Sequence, residues 1–280
     1  MINKLLGVKQ IVSKLLYSTG AIFLINKFIK KMHGDLAALT VLCYHSVDKG
    51  QAIHFEQQID YLTSKNYIFL AGKELIELIN NPQKYDRNLL YICLTFDDCY
   101  EDNFTVVRDI LLRKEIPAIF FAVSAMLGKK AIWDNKMTQK DIMTECQLAE
   151  MANNFDIGAH TQHHRKLDEL TGEDILMEIQ HSKEELSSIL KREIYLFAYP
   201  HGSYNDCVLK YVSQLNFKAA FTIEQHTNYS YNEKYKLGRY IVNPEDMADF
   251  KLKVAGGYDW AFLLKNQISY WFSFCKKNTN

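Results

Sequence analysis

The sequence predicts an α/β protein whose parallel strands form a barrel, complete or incomplete. From Ala37 onward, short β-rich runs alternate with helical stretches, a pattern typical of parallel strands joined by crossover helices. The seven strand candidates exceed what a minimal doubly wound sheet needs, which favours a barrel over an open layer. One barrel of roughly 250 residues with a short appendage fits the chain length of 280 residues.

The predicted elements follow one another without an internal repeat, a low-complexity tract or a long Pro/Gly linker. In Asn103–Lys114, for example, apolar residues recur every three to four positions, which indicates a helix. The predicted strands are Leu42–Tyr44, Tyr67–Leu70, Leu90–Phe96, Ala118–Val123, Phe155–Ala159, Ile194–Tyr199 and Ala219–Ile223. The predicted helices are Phe55–Ser64, Lys73–Asn80, Asn103–Lys114, Asp141–Asn153, Glu173–Leu190 and Asp206–Leu215. We therefore expect one domain over residues 37–280, with a C-terminal extension after about residue 265.

Composition is ordinary for a globular protein and excludes few classes of function. Hydrophobic residues make up 48% of the chain and charged residues 24%. Lys+Arg and Asp+Glu both number 33, and the missing basic excess argues against a nucleic-acid partner. The six cysteines are scattered without a C-x-x-C pair, which favours reduced thiols and a reducing compartment.

The first 36 residues form a separate basic segment. Apolar residues recur there at helical spacing between lysines, and a second apolar stretch, Ala21–Ile25, is followed by three more lysines. No run reaches the ~18 uninterrupted apolar residues that a membrane span needs. Two interpretations are open: an amphipathic segment that contacts a membrane surface through residues 1–33, or a helix packed against the domain. An uncleaved membrane anchor is the third.

Polar residues with catalytic potential follow four of the predicted strands. They are His45, the pair Asp97 and Asp98, the pair His160 and His164, and the run Pro200-His201-Gly202. The carboxyl ends of parallel strands face the active site in α/β folds, so we expect these residues to lie together.

The two carboxylates are adjacent and therefore point in different directions from an extended strand end. One of them could bind a metal while the other meets a water molecule. The alternative is that an aspartate caps the following helix. His160 and His164 are four residues apart, so both rings can face one point from a helical turn. Two histidines and one carboxylate make a three-ligand metal site with open positions, although His163 is a competing ligand.

These residues carry a resemblance to the polysaccharide deacetylase family (the NodB-homology domain, carbohydrate esterase family 4). Residues 95–100, T-F-D-D-C-Y, resemble its first motif, T-F-D-D-G-Y/F, and residues 160–164, H-T-Q-H-H, match its second, H-S/T-x-x-H. Residues 197–202, F-A-Y-P-H-G, and the opening Y-H-x-V at 44–47 resemble the branch that contains exopolysaccharide deacetylases. The resemblance covers about residues 40–245, and its second motif selects His164 over His163.

The resemblance implies a distorted (β/α)7 barrel and a metal-dependent hydrolase. It would remove N-acetyl groups from N-acetylhexosamine units of a polysaccharide or lipid-linked glycan precursor. Asp98, His160 and His164 would bind a divalent metal, Zn2+ before Co2+ or Ni2+, and Asp97 would act as the general base. Tyr199, Pro200 and His201 would form the substrate and oxyanion segment, with the backbone N–H of His201 facing the oxyanion.

Departures from the family pattern leave three positions open. The late L-x-H motif that supplies the acid is not apparent, since His226 is a poor match, and His45 is the preferred acid. A buried structural role is the alternative for His45. Ala198 replaces the usual Arg of the third motif, and we hypothesise that Arg239 supplies the cation for Asp97 instead. Cys99 replaces a Gly, which would cost strain if the backbone there has a positive φ.

Rival functions on the same fold are hydrolysis of another non-peptide amide or an O-acetyl ester, and a decayed carbohydrate-binding module. An N-acetylated glycan is the expected partner. A cytoplasmic location, peripheral on the inner membrane face, reconciles the reduced cysteines with the basic N-terminus. N-terminal anchoring outside the cytoplasm is the alternative, and the sequence leaves the oligomeric state open.

Overall fold

A curled sheet of parallel strands, surrounded by helices, organises the computed structural model, which describes residues 2–133 and 140–264. The strands are β1 (Leu39–Tyr44), β2 (Ile68–Phe69), β3 (Tyr91–Asp98), β4 (Ile119–Ala122), β5 (Asp156–Ala159), β6 (Leu196–Ala198), β7 (Ala219–Phe221) and β8 (Tyr240–Ile241). Their order is β7-β6-β5-β4-β3-β1-β8, with β2 pairing β3, and every pairing of named strands is parallel. The predicted α/β barrel is confirmed.

The segment around β8 joins the two ends of the sheet. Leu237 forms a parallel bridge with Phe221 of β7, and three residues later Tyr240 pairs with Leu42 of β1. Strand β8 was not predicted, because a strand of two residues is too short to show an alternating pattern. Arg239 lies in this closing segment, and its side chain reaches Asp97 at the end of β3.

The helices are α1 (Ile2–Ser18), α2 (Ala21–Met32), α3 (Ala52–Ser64), α4 (Gly72–Asn80), α5 (Arg108–Arg113), α6 (Glu145–Met151), α7 (Gly172–Leu190), α8 (Asp206–Gln214) and α9 (Met247–Val254). A π-helical turn, Asn103–Val107, leads into α5. Helix α6 begins later than predicted because Thr144 and Gln147 form a capping box that fixes its start. Helix α9 was not predicted.

Alternate residues of β3 separate into the two hydrophobic clusters that form the core. Leu94 and Phe96 pack in the larger cluster with the surrounding helices, whereas Cys93 packs in the smaller cluster. That smaller cluster also contains Phe121 and Phe221 from β4 and β7. Because successive side chains of a strand point to opposite faces, this alternation also places Asp97 on the side of Cys93, inside the barrel.

The N-terminal helices pack one face each against the domain. Asn26 of α2 donates to the carbonyl of Ala255 at 2.8 Å, and Trp260 donates to Ser13 Oγ of α1 at 3.0 Å. Ile22 and Ile29 of α2 are buried. No single helix among the described residues has the length and apolar composition to cross a membrane. Gly7–Ser18 and Ala21–Met32 meet both criteria only jointly, across a bend of 98°.

The predicted C-terminal extension lies outside the described residues. The predicted boundary near residue 37 stays a prediction, although the first strand begins close to it, at Leu39.

Candidate metal and catalytic site

A buried ion pair fixes Asp97 inside the barrel. Arg239 is fully buried and donates Nη1 to Oδ1 of Asp97 at 2.6 Å and Nη2 to Oδ2 at 2.7 Å. The Arg239 Nε also donates to the carbonyl of Thr222 at 2.9 Å, and its guanidinium lies 5.6 Å from the Phe121 ring centroid. The hypothesised cation therefore lies beside Asp97, in the bidentate geometry that Arg forms best. Its catalytic role stays a prediction.

This pairing keeps Asp97 ionised. Burial by itself would raise the pKa of Asp97, but Arg239, and after it His160, outweigh burial and hold that pKa well below its usual range. The Cys43 thiol lies 3.4 Å from Oδ2 of the same carboxylate. Asp97 is therefore held in the form that accepts a proton.

Asp98, His160 and His164 form a group of donor atoms that all lie within 4.8 Å of one another. Oδ1 of Asp98 lies 3.3 Å from Nε2 of His164 and 3.7 Å from Nε2 of His160. Donors held about 2.0–2.1 Å from one tetrahedral ion lie roughly 3.3 Å apart. The spacing of the three side chains therefore fits a single metal ion.

The buried polar atoms of this group also fit a cation. Among the described residues, Oδ1 of Asp98, the atom that faces Nε2 of both histidines, is buried without a hydrogen-bond partner. Burial, and after it His160 and His201, lower the pKa of His164 to about 2, so its ring is neutral and keeps a lone pair. Nδ1 of His160 lies 2.8 Å from the carbonyl of Ala198, a contact that leaves Nε2 to face the group.

The loop from His160 to His164 is not the helical turn that the sequence analysis assumed. Residues 160–164 are irregular, and Thr161 and His164 have φ values of 64° and 59°. The two rings converge because these left-handed residues fold the loop back, not because of helical periodicity. Glu178 of α7 holds the loop by accepting from the backbone N–H of His163 at 2.9 Å.

His163 is not a member of the metal group in the structure. Its Nδ1 lies 3.0 Å from Oε1 of Glu178, and its side chain is 52% exposed, whereas that of His164 is 5% exposed. The register of the second motif is therefore consistent with the geometry.

We predict that His164→Ala abolishes tight metal binding and that His163→Ala changes the affinity less than tenfold. A buried ligand is lost in the first variant, whereas the second keeps the backbone bond to Glu178. Competition against a fluorescent chelator measures both affinities. Equal losses in the two variants would contradict this assignment.

His45 lies beside Asp97 at the end of β1. The donor atoms of Cys43, His45 and Asp97 lie within 4.8 Å of one another, and Asn103 donates to the His45 carbonyl at 2.9 Å. The ring is partly exposed, so a substrate can reach it. His226, in contrast, stacks on Phe262 with ring centroids 3.7 Å apart and is in neither metal-type group. Of the two histidines considered as the acid, His45 has the suitable position.

Two residues of the third motif, His201 and Tyr199, differ in how they meet the site. The His201 ring lies 4.6 Å from that of His164, and the residue has a φ of 57°. The side chain of Tyr199 is fully buried and donates to the carbonyl of Tyr235, so Tyr199 itself can meet a substrate only through its backbone. The oxyanion role of residues 199–201 stays a prediction.

Trp133 is a site residue whose position the sequence did not reveal. Its ring stacks on His164 at 4.4 Å between centroids, and its Nε1 lies 3.4 Å from Oδ2 of Asp98. Nothing in the local sequence pattern connects Trp133 with the metal group.

Cys99 adopts the conformation that the sequence analysis identified as costly. Its φ is 55° and that of Asp98 is 71°, so two adjacent non-glycine residues are left-handed at the end of β3. Each such residue costs on the order of 1 kcal/mol, which tight packing of the buried Cys99 offsets. Its thiol is not part of either metal-type group among the described residues.

Comparison with known proteins gives the site its context. The family model described as polysaccharide deacetylase matches residues 84–220, which include Asp97, Asp98, His160 and His164. The protein YxkH of Bacillus subtilis is 27% identical over 214 residues, covering 74% of this chain and 72% of that protein. The poly-beta-1,6-N-acetyl-D-glucosamine N-deacetylase of Staphylococcus aureus is 24% identical over 207 residues, covering 72% of this chain and 69% of that protein.

Solved structures share the fold. The deacetylase PplD of Streptococcus pyogenes superimposes with a TM-score of 0.66 and 23% identity, covering 79% of this chain and 99% of that one. IcaB from Ammonifex degensii gives a TM-score of 0.68 and 21% identity, covering 79% of this chain and 97% of that one. At these identities the likeness concerns the barrel alone. The family match, the two curated relatives and the shared barrel make this chain similar to polysaccharide deacetylases and support hydrolysis of carbohydrate N-acetyl groups as its activity.

Proposed function

We propose that the protein hydrolyses the acetamide of N-acetylhexosamine units in a glycan and releases acetate, with Asp98, His160 and His164 holding a divalent metal, Zn2+ before others. One observation carries the proposal: a three-donor group lies beside a second carboxylate that Arg239 keeps ionised. The Staphylococcus aureus relative, named as acting on poly-N-acetylglucosamine, supports the choice of substrate.

The roles of the side chains follow from where they lie. A divalent metal at this site supplies Lewis-acid polarisation of the acetamide carbonyl and lowers the pKa of water. Asp97 accepts the proton of the attacking water, and Arg239 orients its carboxylate. His45 donates a proton to the leaving amine, a step worth roughly 10²–10⁴ in rate. The backbone N–H of His201 faces the developing oxyanion.

The complete donor set favours catalysis over a decayed binding module. A decayed site has no need to keep Asp98, His160 and His164 buried and convergent, since burying polar groups without partners costs about 1–3 kcal/mol each. Hydrolysis of an O-acetyl ester uses the same groups, with the difference that an alcohol leaves more easily than an amine.

Acetate release from a β-1,6-linked N-acetylglucosamine oligomer tests the proposal. We predict release with the zinc-loaded protein, none after removal of the metal with a chelator, and recovery when Zn2+ is restored. His45→Ala in the same assay is expected to lower turnover of the amide by roughly 10²–10⁴ and turnover of an O-acetyl ester much less, because only the amine needs a strong acid.

His226→Ala is the matched control for that histidine, and we expect it to leave acetate release from the amide unchanged. Metal binding without acetate release from any N-acetylated oligomer would overturn the substrate assignment. Unchanged turnover in His45→Ala would overturn only the assignment of the acid.

A further inference from the structure

The N-terminal helices expose an apolar face that the domain leaves uncovered. Half of the exposed large hydrophobic side chains of the described chain, seven of fourteen, fall in α1 and α2. On α1, Val8, Ile11 and Leu15 recur opposite the buried Ser13 and are 60–68% exposed. We call the set of seven the N-terminal face: Val8, Ile11, Leu15, Phe23, Leu24, Phe28 and Met32.

Positive charge is concentrated in the same two helices. Residues 2–32 contain six lysines and no Asp or Glu, although the whole chain has 33 basic and 33 acidic residues. The rest of the protein therefore carries 27 basic residues against 33 acidic ones. Lys14, Lys27 and Lys31 are exposed among the apolar side chains of the N-terminal face. Two copies of this face would repel each other, so self-association does not explain it.

A cavity of about 740 Å³ beside α2 extends the positive region. Four cationic side chains line it, against the single carboxylate of Asp35: Lys27, Lys30, Lys65 and Arg87. Arg87 pairs with Asp35 at 2.6 Å, which leaves a net excess of cations facing the cavity. An anionic group small enough to enter this cavity would therefore be complementary to it in charge.

We propose that the N-terminal face docks on an anionic lipid surface, with its apolar side chains at the boundary of headgroups and acyl chains. Helices with an apolar face bordered by lysines lie in this plane, and each lysine near an anionic surface strengthens binding severalfold. Tyr17 and Phe23, whose ring centroids are 6.1 Å apart, lie where the two helices meet and line the cavity. The proposal is independent of the enzyme's substrate.

Docking in this way fixes the orientation of the enzyme. Thr40 and Tyr91, at the start of β1 and β3, line the cavity beside α2, whereas Asp98 ends β3. A strand of eight residues spans roughly 25 Å, so the lipid surface and the metal group lie at opposite ends of the barrel. A glycan then reaches the metal group from the aqueous side.

Vesicle co-sedimentation of the whole chain tests the docking. We expect the protein to pellet with phosphatidylglycerol-containing vesicles, and far less with phosphatidylcholine alone. The double variant Lys27→Gln with Lys31→Gln should bind these vesicles about thirtyfold more weakly than the wild type. Added salt should also weaken vesicle binding by the wild type. Leu24→Ser with Phe28→Ser should weaken binding to the same vesicles through lost apolar insertion.

Leu112→Ser with Lys210→Gln makes the same kinds of change at exposed positions of α5 and α8 and should leave binding unchanged. Circular dichroism verifies that each variant is folded. Binding that is equal for neutral and anionic vesicles, or absent from both, would overturn the proposal, as would a dimer that forms through this face in light scattering. Deacetylase activity plays no part in any readout, so failure here and failure of the proposed function are distinguishable.

Two native cysteines report the orientation. Cys146 and Cys207 are exposed near the starts of α6 and α8, the helix ends that lie on the side of the strand carboxyl ends. We expect vesicles to leave their alkylation rates, followed by mass spectrometry of each peptide, unchanged. Protection of both cysteines by vesicles would show that the opposite end of the barrel faces the lipid.

Discussion

Asp97→Asn is expected to lower turnover severely while keeping the metal, whereas Asp98→Asn loses both the metal and turnover. Asp97 faces Arg239 inside the barrel, and Asp98 faces His160 and His164, so the adjacent carboxylates serve different partners. Removing the base should lower kcat by roughly 10²–10⁴, because an amide cannot take a proton from water at neutral pH. Removing the ligand leaves two histidines, too few for a tight site.

Metal content by mass spectrometry and acetate release measured on the same preparations separate the two variants. Asp109→Asn, an exposed carboxylate that pairs with Arg108 on the surface, is the control and should retain metal and rate. Loss of the metal from Asp97→Asn would show that Asp97 is a ligand instead of the base. A full rate in Asp97→Asn would remove its catalytic role.

Arg239→Met should destabilise the protein by about 3–5 kcal/mol and remove most of its activity. The change leaves a buried carboxylate without its cation, a loss that typically costs this much and lowers Tm by roughly 10 °C in a chain of this size. Without Arg239, burial dominates and raises the pKa of Asp97, so the base becomes protonated over more of the pH range.

The loss of stability should depend on pH in a defined direction. In the wild type the pKa of Asp97 is depressed, so its contribution is present above the unfolded pKa of about 3.9 and is lost only in stronger acid. In Arg239→Met that pKa is raised, so stability is lost as pH rises from about 4 toward the new folded value. The difference in Tm should therefore be larger at pH 8 than at pH 4.5.

Arg239→Lys keeps a cation but loses the bidentate bond, and we expect it to recover part of the stability and little of the rate. Arg113→Met, which removes an exposed partner of Glu56, should change stability by less than about 1 kcal/mol. A pH-independent difference in Tm for Arg239→Met would mean that the guanidinium acts by packing on Phe121 and Phe221, not by charge.

The sequence by itself determined the fold class and the chemical content of the site. Apolar runs of four to eight residues are too short for most helices, so the strands that lead to Asp97, Asp98 and His160 were located correctly. The carboxyl ends of parallel strands necessarily meet, so residues far apart in the chain were expected together. The family motifs then separated His164 from His163, which spacing alone could not do.

Only the tertiary structure decided how those residues meet. The partnership of Asp97 and Arg239 depends on barrel closure across 142 positions of sequence, and the strand of two residues that follows Arg239 leaves no periodic signal. The convergence of His160 and His164 depends on left-handed residues that packing against Glu178 maintains. The N-terminal segment shows the same division. Its periodicity predicts helices, but which face of those helices is exposed depends on how the rest of the chain packs against them.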